Sequence, residues 1–191
     1  GVSGTLKDVC YDVKNGALYV LTYESGYWIN KIDRSGFYTA MGQASPAYTV
    51  TEKEFVQLPS SETGENVLMT QLAVYGDTFY FADSACNVYK ETISSFTGDS
   101  ANPVQLSDPV KNLADTGASK LTGLDSSLYD TCDSFAITDL QVGDGLGNDT
   151  GNLYVLVREY TNYLSRENSS GSADSIFSRG ALVKIDASNE C

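Results

Sequence analysis

The chain contains no histidine. That removes Ser-His-Asp and Cys-His machinery, histidine-ligated zinc, and the commonest general base at neutral pH. Cations are scarce too. There are 12 lysines and arginines against 25 aspartates and glutamates, a formal charge of -13. So acidic a chain repels phosphate backbones and anionic headgroups, which argues against nucleic acid and against a membrane surface. No apolar run approaches the length of a bilayer span. The four cysteines, Cys10, Cys86, Cys132 and Cys191, form no C-x-x-C pair, so structural zinc is not expected. An even count suits disulfides in an oxidising compartment. Cys132 and Cys191 flank the last third of the chain and are placed to clasp it, while Cys10 reads as a buried strand thiol.

What the chain has is repetition. Leu18-Tyr19-Val20-Leu21 is followed by Lys31-Ile32-Asp33, and Leu153-Tyr154-Val155-Leu156 by Lys184-Ile185-Asp186. A weaker copy, Phe79-Tyr80-Phe81 with Val88-Tyr89-Lys90, lies between them. Each copy opens with period-two apolar spacing, at Val9 and Tyr11, Leu72 and Val74, Leu140 and Val142, the signature of a strand. A turn follows: Lys14-Asn15-Gly16, Tyr75-Gly76-Asp77, or the longer Gly143 to Asn152. Asn-Gly and Gly-Asp pairs accept the positive φ of tight hairpins. An aromatic-rich strand and a third strand come next. Val56-Gln57-Leu58 and Val104-Gln105-Leu106 read as fourth, outer strands of the first two copies.

Four antiparallel strands per copy make a propeller blade. The "LYVL…KID" strand pair resembles the broad YVTN/NHL-like class of propeller repeats. The expected fold is therefore all-β: a partial β-propeller of three four-stranded antiparallel blades, the third lacking its outer strand. The blade-like repeats span about 4–58, 67–106 and 134–190, within a single β domain or domain fragment, 1–191. A β-sandwich is the structural alternative. Closed propellers typically have four to eight blades, so the chain is expected to belong to a longer protein or to complete its ring with another copy.

Candidate sites lie in the longer connections. Asp144, Asn148, Asp149 and Asn152, among glycines, offer hard oxygen ligands to a calcium ion; a plain hairpin loop is the competing reading. The insertion 159–180 carries Tyr160, Tyr163, Arg166, Phe177 and Arg179 among serines and glycines, a composition suited to an adaptable binding surface. Strand alternation sends 107–134 and 159–180 to the same end of the sheets. Asp8, Gln71 and Asp139 occupy equivalent positions of the three first strands. They offer either a polar ring for a cation or a polar ligand, or hydrogen bonds to a loop or a neighbouring blade. Thirteen tyrosines, plentiful small polar residues and the sequons at Asn148 and Asn168 point to an extracellular, cell-surface or periplasmic protein. The expected role is a non-enzymatic binding or scaffolding module for a protein or a carbohydrate. The alternative is a carboxylate-dependent propeller hydrolase or lyase.

Overall fold

Alternation along the sequence becomes strands in the structure, a computed structural model that describes residues 2–33, 41–44, 50–59, 67–113, 132–143, 151–163 and 175–185. For 132–135, 159–163 and 175–181 the backbone alone is described. Among these residues the elements are twelve β-strands and no helix. The first sheet holds β1 (Thr5–Asp12), β2 (Ala17–Tyr23), β3 (Tyr27–Asp33) and β4 (Glu52–Gln57) as an antiparallel meander. The second holds β5 (Met69–Tyr75), β6 (Thr78–Asp83) and β7 (Asn87–Thr92). The third holds β10 (Cys132–Val142), β11 (Leu153–Tyr163) and β12 (Ser175–Ile185). The all-β expectation is met by three mainly antiparallel sheets, and among the described residues they do not close into a ring.

The outer strands differ from the sequence reading. Val104-Gln105, expected to edge the second sheet, instead forms β8 (Val104–Gln105) and pairs in parallel with Val56-Gln57 of β4. The physical cause is the preceding segment. Phe96 stacks on Tyr19 at 6.2 Å and meets Phe79 edge-on at 6.0 Å. Thr97 then donates its amide and hydroxyl to the fully buried Glu54 carboxylate, at 2.6 and 3.0 Å. These contacts draw the chain back across the first sheet. The second sheet takes β9 (Lys111–Asn112) as its fourth strand, antiparallel to β7.

Two apolar cores separate the three sheets. Tyr19, Leu21 and Ile29 of the first sheet pack with Leu72, Phe79 and Phe81 of the second. Tyr80, Ala82 and Val88 of the second pack with Leu140, Leu153 and Val155 of the third. Because neighbouring residues of a strand point to opposite faces, the second sheet serves both cores. The first strands are the closest approach of the stack: β5 lies against both β1 and β10.

Each first strand carries a β-bulge at the same place. The pairing slips between Leu6 and Asp8, between Met69 and Gln71, and between Ile137 and Asp139. The extra residues are Lys7, Thr70 and Thr138. A bulge bends its strand and re-aims the next side chain. After the slip, Asp8, Gln71 and Asp139 pair with Leu21, Ala82 and Leu156 respectively. The three sheets are therefore one unit repeated, down to its irregularity.

Candidate functional site

The three bulges bring the polar residues singled out in the sequence, Asp8, Gln71 and Asp139, to equivalent points where the first strands converge. Asp8 accepts two backbone amides: Val9 N–H at 2.8 Å, and Leu72 N–H of the next sheet at 2.7 Å. Burial raises the Asp8 carboxyl above its usual value, the two amide bonds oppose that rise, and the negative charge of Asp139 adds to it. Thr70 donates to the Gln71 side-chain oxygen. The bulge threonines behave alike, Thr70 Oγ1 donating to Ala82 O at 3.4 Å and Thr138 Oγ1 to Leu156 O at 3.2 Å. Of the two readings of this triad, hydrogen bonding to a neighbouring sheet describes Asp8. Among the described residues no group of three or more cysteine, aspartate or glutamate side chains could hold a metal ion.

A second carboxylate, missed in the sequence, ties the same two sheets at the opposite end of the strands. Asp12 is fully buried and accepts Lys14 N–H at 3.0 Å and Asn15 N–H at 3.3 Å within its own turn. The Oδ1 that takes Lys14 N–H also accepts Gly76 N–H at 3.0 Å from the next sheet's hairpin, while Asn15 N–H goes to Oδ2. Asn15 returns a bond to Gly76 O at 3.1 Å. The signal was present: an aspartate two residues ahead of Lys14-Asn15-Gly16 is placed for an Asx-turn. Asp83 does comparable work in the second sheet. It accepts the amides of Ala85 and Asn87 at 2.8 and 3.0 Å, the Asn87 amide group at 2.9 Å and the Tyr89 hydroxyl at 2.5 Å.

Neither Cys10 nor Cys86 offers an activated nucleophile. Cys10 and Cys86 are buried free thiols. Burial pushes both above the ordinary range, and Asp8 and Asp12 push Cys10 further. Catalytic thiols need the opposite shift. Cys132 begins β10, and its expected bridge to Cys191 lies outside the described residues.

The loop residues of the sequence reading fall out differently. Tyr160 and Tyr163 lie in β11, and Phe177 and Arg179 in β12. Their register is Tyr160 opposite Ser178, Tyr163 opposite Ser175, Phe177 opposite Thr161, and Arg179 opposite Glu159. The insertion 159–180 is thus a continuation of the hairpin over 159–163 and 175–180, not an irregular loop. β-Branched and aromatic residues extend the pairing there. Arg166 lies outside the described residues, as do Asp144, Asn148 and Asp149 of the calcium reading. Asn152 is described: it is buried, and its carbonyl accepts Gly143 N–H at 2.8 Å, closing the base of that connection. Cys132 pairs with Thr161, so the chain entering β10 arrives beside the extended hairpin. Comparison with protein families, with curated proteins and with solved structures found no match to this chain.

Proposed function

We propose that the three sheets are consecutive blades of a β-propeller, and that the chain is a non-enzymatic binding module working outside the cell or in the periplasm. The long β11–β12 hairpin is its working element, and its ligand is a protein or a carbohydrate. The observation carrying this is the asymmetry between equivalent hairpins. In the first sheet β2 and β3 part at Tyr23 and Tyr27. The equivalent of Tyr23 is Arg158, yet pairing in the third sheet runs on to Tyr163 opposite Ser175. At about 3.3 Å per residue, those five further residues carry the hairpin roughly 17 Å beyond its counterpart. An element that outgrows its repeats is where repeat folds place binding function.

The segment brings two tyrosines, a phenylalanine and an arginine into paired strands, residue types that dominate binding energy when desolvated. A hydrolase reading needs a free pair of carboxylates flanking a bond. Asp8 is already committed to two amides, which weighs against it as a base. Replacing 161–178 by a short turn tests the proposal on an oligosaccharide array and a panel of extracellular proteins. Binding by the parent that the deletion abolishes, at an unchanged melting temperature, supports it. Undiminished binding after deletion overturns it, as does cleavage of an arrayed sugar.

A further inference from the structure

Asn15-Gly16 is the only Asn-Gly dipeptide in the 191 residues. The fold puts it where the first two sheets are clamped together. Gly76 of the second sheet's hairpin is held at both its polar atoms. Its N–H goes to Asp12 Oδ1 at 3.0 Å, and its carbonyl takes the Asn15 side-chain amide at 3.1 Å. A carbonyl needs a donor, so position 15 serves the clamp only while it carries an NH2 group. Asn15 itself is exposed, whereas Asp12 and Gly76 are buried.

The same pair carries a latent reaction. Gly16, at a φ of 64°, has no Cβ to shield its nitrogen. Once its proton is removed, that nitrogen can attack the side-chain carbonyl carbon of Asn15. The new C–N bond closes a cyclic imide, and the side-chain nitrogen leaves as ammonia with the proton. Water then opens the ring. Breaking the bond to the side-chain carbon gives aspartate. Breaking the bond to the main-chain carbon gives isoaspartate, whose main chain runs through the side chain. One water enters and one ammonia departs; nothing is oxidised or reduced.

In the closed clamp both reacting groups are occupied. Gly16 N–H donates to Asp12 O at 2.9 Å, so its proton is not free for a base. The Asn15 amide is tied to Gly76 O. Opening of this end of the hairpin frees both at once.

We infer that Asn15 is a modification site gated by this clamp, and that its conversion to aspartate or isoaspartate keeps the clamp open. A carboxylate has no hydrogen to give, so the buried Gly76 carbonyl loses its partner, which costs stability. The new charge also lies beside the buried Asp12 carboxylate, whose Oδ2 accepts Asn15 N–H at 3.3 Å. Lys14 carries a neighbouring positive charge, but it is exposed and sits over the Tyr75 ring at 5.4 Å, so it offsets little of that repulsion. Isoaspartate lengthens the turn besides. Because ammonia is lost to solvent, the step does not run back. The joint between the first two sheets thus holds a one-way latch, set by its own opening.

Peptide mapping of the full chain after incubation in mildly alkaline buffer tests this. Aspartate and isoaspartate should accumulate at position 15 ahead of the other asparagines. Conversion should be about tenfold faster, or more, in urea, where the clamp is gone. The converted protein, separated by its added charge, should show a lower urea midpoint and a faster-exchanging Gly76 amide, with the β11 amides unchanged. Asn15→Asp should reproduce the lower midpoint. Asn15→Gln, whose longer side chain closes an imide poorly, should stay unconverted. An absence of conversion at position 15 in the folded chain overturns the inference. Conversion as fast in the folded chain as in urea denies the gate, and an unchanged midpoint in the converted protein denies the latch. Equal conversion of Asn15→Gln denies the imide route.

Discussion

Asp8 illustrates how a single carboxylate is held at a cost. It bridges two sheets through Val9 and Leu72, yet its site is partly desolvated and shares the field of Asp139. Its raised folded value means that the native state binds a proton at a higher pH than the unfolded chain does. Its contribution to stability therefore grows as pH falls through the folded value, is complete below the unfolded value of about 3.9, and is lost as pH rises. Asp8→Asn removes the charge and with it that dependence. The urea midpoint of the parent, relative to the variant, should move upward between pH 7 and pH 4. A gap that moves the other way would show that the amide bonds outweigh desolvation. The equivalence of Asp8, Gln71 and Asp139 was legible from spacing alone. The bulge before each was not, because an extra residue in a strand leaves no mark in a period-two pattern longer than the slip itself.

At the level of the element, the first sheet's second hairpin shows how one strand fits another. Gly26 has a φ of 143°, and a side chain there would meet the Phe55 ring, its nearest atom 2.2 Å away. That ring is buried and packed edge-on against Trp28 at 4.8 Å, with Lys53 over the indole at 4.7 Å. It has little room to yield. Gly26→Ala should cost about 2 kcal/mol or more in chemical denaturation, through strain and overpacking together. Adding Phe55→Leu should recover part of the loss, so the double variant is more stable than the two single effects predict. The strands themselves were legible: "LYVL", "FYF" and "KID" fall in β2, β6, β3 and β11, with turns at Asn15-Gly16 and Gly76-Asp77. Edges were not. Val56-Gln57-Leu58 and Val104-Gln105-Leu106 are the same tripeptide, and a tripeptide does not say which sheet it joins. Phe96 and Thr97, several residues upstream, decide that by anchoring to Tyr19 and Glu54.

Across the whole molecule, three copies of one unit stack through two cores, and the order is that of the chain except at β8. The stack was foreshadowed by the repeats. Which face of each sheet meets which neighbour was not, since that depends on which residue of an alternating pair points to which core. The candidate site was the least legible part. A segment rich in tyrosine, serine and glycine looks like a loop, and the cross-strand partners that make it a hairpin are far apart in sequence.

The β8 exception sets the cooperativity of the molecule. Leu106 N–H reaches Gln57 O at 2.9 Å, and the Gln105 amide reaches Leu58 O. The whole β5–β7 meander is therefore a chain loop whose two ends are fastened to the edge of the first sheet. Opening the second sheet alone would still leave that loop closed, and peeling β8 away would uncover Glu54 and Phe96. The first two sheets should then behave as one foldon, while the third, joined by packing on a single face, can open by itself. Native-state hydrogen exchange should find the amides of β2 and β6 sharing one opening free energy, with those of β11 exchanging through a separate, lower-energy opening in the isolated chain. Covering the exposed Leu156 and Leu182 should raise that lower barrier toward the first, so the protein's least protected region reports directly on whether that face of the third sheet is occupied.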